Sequence, residues 1–452
     1  MADRSSGTGK RRDGNQADSI RNESLAMLPG WAFEEILMRV LKRQRQGKEN
    51  ILGPAFPSGT ALVDVVVTFP GYKHLLVQHA LTATFDGWEC ALLGQDGNGD
   101  LPHPRYRHFD VSPTEKKVGY KTAALTFNHP DGWCLAAYVD LDHAFGDDTE
   151  RSTLQLTCPT EHRQVAITKS RQIETWVERN NYLRGQKLDA EGSFIRPDDV
   201  YTWDCLFADP ALLAAIRRNT QGFLERLDQY RLFRLPTCRG VLLHGKPGTG
   251  KTLIGKVLCS QLQDTFIWIR PGDVWHPDGI AGIFEMARDL KPSLLFFEDL
   301  DLFGGKRSMP GCNSHLLGEL MNQLDGVKEN NDIVVVATTN DLDAIEPALK
   351  DRPSRFDCVL EVPEIDDGTR HRYLRAFLDQ RGIKPTFFHD VDLATQKCRT
   401  IAEVQEQAIR CLQRAIESDI DPTAIQSLID LPALDEPKAG GPKAPAIGFH
   451  LD

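Results

Sequence analysis

The sequence has ten cysteines but no C-x-x-C pair, and the closest two, Cys398 and Cys411, stand too far apart for a metal knuckle. Scattered thiols of this kind fit a reducing cytoplasm. The chain also lacks any apolar run near the ~18 residues of a membrane span, and its polar first 24 residues contain no hydrophobic signal region. The expectation is a cytoplasmic protein with no membrane span. It lacks positive charge in excess: the formal net charge is −11, so there is no general electrostatic case for nucleic acid as a partner. With 452 residues, 41% hydrophobic and 26% charged, the length suits about two or three globular domains.

Residues 1–24 are Gly, Ser, Asn and charge in mixed order, including Lys10-Arg11-Arg12, and read as a disordered, solvated arm. Phe33, Ile36, Leu37, Val40 and Leu41 then fall on one helical face, and Gly47 ends the pattern. From about 50 to 165 the chain turns to strand-like runs: 62–67, 82–85, 123–127 and 135–139, parted by Gly, Pro, Asn and Asp. Asp86-Gly87-Trp88 and Asp131-Gly132-Trp133 echo each other there, as turn chemistry before a buried aromatic does without any duplication. The stretch 166–185 reads as helix and 189–199 as a linker, so a boundary is expected near 200.

The second half alternates short apolar runs (240–244, 266–269, 294–297, 333–336, 359–362) with helical faces, the signature of a parallel α/β sheet. The first run leads into Gly245-Lys246-Pro247-Gly248-Thr249-Gly250-Lys251-Thr252, and Leu253, Ile254, Val257, Leu258 and Leu262 follow at helical spacing. A Gly-x-x-x-x-Gly-Lys-Thr loop between strand and helix cradles phosphate with backbone N–H groups and the helix N-terminus. Lys251 is expected to reach the β- and γ-phosphates, and the Thr252 hydroxyl to sit on Mg²⁺. The implied ligands are a nucleoside triphosphate and Mg²⁺.

A bound triphosphate needs a metal ligand and a water activator from the end of a neighbouring buried strand. The run 294–297 ends in Glu298-Asp299-Leu300-Asp301; one of the first two acids would hold Mg²⁺ and the other would polarise the attacking water. The run from Ile333 ends in Thr338-Thr339-Asn340, whose amide is placed to hold that water. Arg352 and Arg355 follow in a Pro-containing loop.

Together these residues, from Tyr201-Thr202-Trp203-Asp204 through the phosphate loop, Glu298-Asp299, Asn322-Gln323-Leu324-Asp325-Gly326, Asn340 and Arg352 to Asp357, resemble an AAA ATPase over about 200–420. The resemblance implies an α/β phosphate-loop core with a parallel sheet and helical lid, and the strand-like runs ahead of it read as a β-rich α+β domain. Together with those runs, the resemblance divides the chain into a disordered arm (1–24), an N-terminal client or adaptor domain with linker (25–199), an ATPase large subdomain (200–365), a helical lid (366–430) and a flexible tail (431–452). It implies an ATP-hydrolysing ring, usually a hexamer, that remodels, unfolds or translocates a protein client. Asn340 would sense the γ-phosphate, while Arg352 and Arg355 would reach the neighbouring subunit's ATP. Glu298 is the metal-side acid in this reading and Asp299 the water-side one, although the family usually has Asp then Glu. The order here resembles that of the mitochondrial AAA translocase of the Rieske protein, which suggests movement of folded clients as an alternative. The family's pore loop of aromatic, aliphatic and Gly is represented only by Trp275, and the lid at Thr400-Ile401-Ala402-Glu403 has no Gly-Ala pair.

Overall fold

The computed structural model describes residues 52, 55–57, 59–93, 104–143, 150–196, 199–274, 276–303, 312–325, 330–342, 356–383 and 391–417, with backbone alone at 312–315. The expected arm, the helix at 33–41 and the tail from 431 lie outside them.

In the first half an antiparallel sheet is built from β1 (Leu62–Pro70), β2 (Glu89–Leu92), β3 (Arg105–Asp110), β4 (Lys116–Asn128), β5 (Cys134–His143) and β6 (Glu150–Pro159). The order is β1-β6-β5-β4-β2, with β3 also paired to β4. Period-two alternation sends Leu135, Ala137 and Val139 of β5 and Leu154, Leu156 and Cys158 of β6 to one face. Helices α1 (His74–Thr84) and α2 (Arg163–Arg179) close that face with Leu76, Val77, Ala80, Leu81, Ile173 and Val177. The opposite face carries Ala124, Ala136 and Tyr138 against Leu52 and Phe56. It also holds polar pairs: Thr157 Oγ1 donates to Asp64 Oδ1 at 2.6 Å and Thr122 Oγ1 to Asp140 Oδ1 at 2.8 Å.

The expected strand at 82–85 is instead the end of α1 and the residue after it. Leu76, Val77, Ala80 and Leu81 bury one helical side, and that packing outweighs the strand preference of Thr82 and Thr84. The two Asp-Gly-Trp stretches are separate turns at one end of β4, where Asn128 faces Glu89 on one side and Cys134 on the other. Gly87 and Gly132 take left-handed φ angles of 81° and 85°, and the Trp88 and Trp133 rings meet edge to face at 5.2 Å.

The second sheet is parallel throughout, in the order β12-β8-β11-β10-β9-β7. Its strands are β7 (Lys187–Asp189), β8 (Cys238–His244), β9 (Thr265–Ile269), β10 (Ser293–Phe297), β11 (Ile333–Thr339) and β12 (Cys358–Glu361). Both faces are apolar, as parallel sheets require. Leu242, Ile267, Leu295, Phe297 and Val335 pack beneath α5 (Pro277–Asp289) and α6 (Cys312–Leu324). Val241, Leu243, Phe266, Phe296 and Val336 pack against α3 (Pro210–Asn219) and α4 (Lys251–Gln261). Strand β7 overlaps the start of the stretch read as linker, at Asp189, and pairs with β9 at the outer end of this sheet.

The two halves also touch through side chains. Tyr72 Oη donates to Asp289 Oδ2 at 2.8 Å at the end of α5, and Lys73 pairs with the same carboxylate. Beyond the second sheet, α7 (Asp367–Asp379) and α8 (Ile401–Glu417) pack Leu374, Phe377 and Leu378 against Val404, Ala408 and Cys411. No helix among the described residues is long and apolar enough to cross a membrane.

Candidate active site

The loop after β8 is tied into the sheet on both sides. His244 O accepts from Val362 N at 2.7 Å, and Gly245 N donates to Thr339 O at 3.3 Å. A Cβ on Gly245 would lie 2.2 Å from Val362 O, so backbone here leaves room for glycine alone. Within the loop, buried Thr249 donates its hydroxyl to Lys246 O at 2.9 Å, while Pro247 is exposed. Lys246 reaches outward to Glu364, Nζ to Oε1 at 2.6 Å. Gly250, at φ 101°, makes the left-handed step into α4.

Lys251 opens that helix and is only 5% exposed. Its Nζ donates to Gly245 O at 2.7 Å and Lys246 O at 2.9 Å. Burial lowers its pKa, against the opposing pull of Asp299 and Asp301. The next side chain, Thr252, is exposed and donates its hydroxyl to Glu298 Oε1 at 2.7 Å. Loop and acid pair, 46 residues apart in sequence, thus meet where parallel strands end together.

Beyond β10, Glu298 is held a second time, by Trp268 Nε1 donating to Oε2 at 3.0 Å. Asp299 takes the left-handed φ of 45°, an uncommon setting for a residue with a Cβ and one that clusters at functional sites. Its N–H donates to Thr338 Oγ1 at 2.9 Å, and its Oδ1 accepts from Asn340 Nδ2 at 3.1 Å. Burial, and then Glu298 and Asp301, push the Asp299 pKa up, while Lys251 and Asn340 pull it down. A carboxylate raised toward neutrality is suited to exchanging a proton with water. Asp301 Oδ1 accepts from Thr339 Oγ1 at 2.8 Å and Asn340 N at 3.0 Å, which pins the end of β11 to the turn after β10.

Oxygen donors from Thr252 and Glu298 suit a hard cation such as Mg²⁺, and the glycine loop with Lys251 and the start of α4 suits a polyphosphate. The donor set therefore fits Mg·ATP. The lid stands over the loop: Ala402 N donates to Gly248 O at 3.4 Å, and a Cβ on Gly248 would lie 3.0 Å from Thr400 Oγ1 and Ala402 Cβ. Thr400 and Glu403 form a capping box at the start of α8, with Glu403 N on Thr400 Oγ1 at 3.3 Å and Thr400 N on Glu403 Oε2 at 3.2 Å.

Of the residues expected to act, the structure brings together Lys251, Thr252, Glu298, Asp299 and Asn340. Trp275, Arg352 and Arg355 lie outside the described residues. Sequence reasoning missed the parts played by Trp268, Thr338 and Asp301. Asp301 had a signal, being a third acid on the same turn; Trp268 had one too, since a buried indole N–H needs an acceptor.

Comparison with known proteins matches residues 241–364 to the family described as ATPase family associated with various cellular activities (AAA). Proteasome-activating nucleotidase 1 of Haloferax volcanii is 27% identical over 218 residues, 46% of this chain and 52% of that protein. The 26S proteasome regulatory subunit 6B homolog of Aspergillus niger is 31% identical over 170 residues, 35% of this chain and 40% of that one. Proteasome-activating nucleotidase of Sulfurisphaera tokodaii is 30% identical over 187 residues, 39% of this chain and 47% of that protein. The chain thus spans about half the length of these relatives, or less. Proteasome-activating nucleotidases and a proteasome regulatory subunit are what it resembles here, and the narrower likeness to the Rieske-protein translocase, drawn from the Glu298-Asp299 order, gains no support from them. With loop, acid pair and polar strand end converging as described, the chain carries, over residues 241–364, a domain of the AAA family of ATPases.

Proposed function

We propose that this protein hydrolyses ATP to ADP and phosphate in a homo-oligomeric ring, a hexamer in the family's usual form, and uses the cycle to unfold or translocate a protein client in the cytoplasm. The observation that carries the reading is the pair of contacts Thr252–Glu298 and Asn340–Asp299 at one edge of the sheet, which supports Glu298 as the metal-side and Asp299 as the water-side carboxylate. Thr252 and Glu298 would hold Mg²⁺, which would supply positive charge to the phosphate oxygens. Lys251 leaves the carbonyls of Gly245 and Lys246 to bind the β- and γ-phosphates. Asp299 orients the attacking water and accepts its proton, and Asn340 fixes Asp299 and meets the γ-phosphate side.

Arg352 and Arg355 supply cationic charge to the neighbouring subunit's site, and an arginine finger contributes roughly 10³ to 10⁵ in rate. The names of the relatives point to protein substrates handled beside a proteasome, and the net charge of −11 favours a protein client over nucleic acid. Trp275 is the candidate gripping aromatic of the pore.

The test is a mixing experiment. Inactive Lys251→Ala and inactive Arg355→Ala proteins, combined, should regain part of the turnover, because some boundaries then pair an intact loop with an intact finger. Full turnover by isolated monomers would remove the shared-site ring. An unfolding assay on a labelled client completes the test: Trp275→Ala should keep ATP turnover and lose client unfolding, and equal unfolding by mutant and parent would exclude pore gripping.

A further inference from the structure

Strand β9 is apolar except for Thr265 at its start and one indole N–H. Trp268 is 6% exposed, and its ring packs against Phe266 at 5.8 Å and Phe296 at 5.1 Å between centroids. The ring is thus fixed by its neighbours, and its Nε1 points at Glu298 Oε2, 3.0 Å away. Oε1 of the same carboxylate accepts from Thr252 at 2.7 Å. Glu298 is held at both oxygens, from β9 on one side and from α4 on the other.

Glutamate at this position has one more rotatable bond than aspartate, and the torsion that turns its carboxylate is broad. A second hydrogen bond removes that freedom. We propose that Trp268 is a positioning residue for the metal-side carboxylate: its indole N–H takes one oxygen of Glu298 and so fixes the plane in which the other faces Thr252 and a Mg²⁺ ion bound with ATP. The inference rests on the reading of this loop as a Mg·ATP site. It also accounts for the acid order physically. An aspartate at 298 would stop about 1.5 Å short of the indole, one carbon–carbon bond, so the longer acid and the tryptophan form a matched pair.

The test measures ATP affinity of the full chain by calorimetry across a Mg²⁺ series and again in EDTA, for the parent, Trp268→Phe, Glu298→Asp and the double variant. Trp268→Phe should leave metal-free ATP affinity unchanged and raise the Mg²⁺ needed for half-maximal strengthening of binding about tenfold, the scale of losing an outer partner of a metal ligand. In the Glu298→Asp background the same change should add nothing. An equal shift in both backgrounds, or none in the parent, overturns the inference while the Mg·ATP site stands. A parent protein that binds no ATP under either condition overturns both. Should Trp268→Phe not fold, benzothienylalanine at 268, which keeps the ring shape and replaces N–H by sulfur, must reproduce the tenfold shift for the inference to hold.

Discussion

Among the described residues the chain holds two six-stranded sheets that place their polar chemistry differently. In the parallel sheet the strand interiors are apolar on both faces, so polar side chains emerge past the strand ends: the loop after β8, Glu298 and Asp299 after β10, Asn340 after β11. In the antiparallel sheet polar groups lie within strands and pair there, as Thr157 does with Asp64 on the face away from α1 and α2, and as Ser152 does with His74 of α1 on the other. Direction explains the difference. Parallel strands bring all their C-terminal ends to one edge, where distant residues converge; antiparallel strands alternate their ends. One sheet carries the candidate site at its edge, and the other keeps its polar groups within its strands.

Lys251→Ala tests that division with the largest effect: ATP binding should fall below detection in calorimetry while the antiparallel half, followed by its own unfolding transition, stays as in the parent. Near-normal ATP affinity would break the assignment of chemistry to this edge.

Asp299→Asn comes next. It should bind ATP and lose about 10² to 10⁴ in turnover, the usual worth of a positioned base. The sign of the pH response follows from its raised pKa. Asp299 keeps its proton to a higher pH than an ordinary aspartate, the active carboxylate exists only above that pKa, and turnover should therefore fall on acidification before an ordinary carboxylate would titrate. Glu298→Gln removes a neighbouring negative charge and should move the acid limb of any residual rate to lower pH; an unmoved limb would assign it to another group.

In the antiparallel sheet, Leu156→Ala removes a fully buried side chain and should cost about 2–5 kcal/mol of that half's stability in denaturant unfolding, with ATP affinity unchanged. A parallel loss of ATP binding would mean that the two sheets unfold as one unit. The smallest effect is expected of Thr157→Val, which leaves exposed Asp64 without this donor at a cost of about 1 kcal/mol and leaves turnover untouched.

Much of the parallel half was legible in the sequence because its signals are local. Each buried strand is a short apolar run, and the loop, the acid pair and Asn340 sit where such runs end. The parts that escaped are long-range. Nothing near Trp268 announces a carboxylate 30 positions on, and the left-handed turn at Asp299 is met by contacts from Thr338 on another strand and Asn340 just beyond its end. In the first half, Thr82 and Thr84 drew a strand reading because β-branched residues favour strands, whereas the burial of Leu81 and Ala80 decided for helix. Strand β7 escaped for a similar reason: three residues, Lys187, Leu188 and Asp189, have no periodicity to read, and pairing with β9 on one side and with Phe194 on the other makes them a strand.

That short strand has a practical consequence for dividing the protein. Leu188 pairs with Ile267, and Phe266 N donates to Gln186 O at 2.9 Å, so the outer rim of β9 is sealed by chain that precedes residue 190. A fragment begun at 200 would strip that cover and bare the backbone of five buried residues, Thr265–Ile269, as a template for pairing with other molecules. One begun at 182 keeps the seal. The place to cut this protein is therefore set by which residues close the last rung of the ladder, not by where the sequence turns from β-rich to alternating.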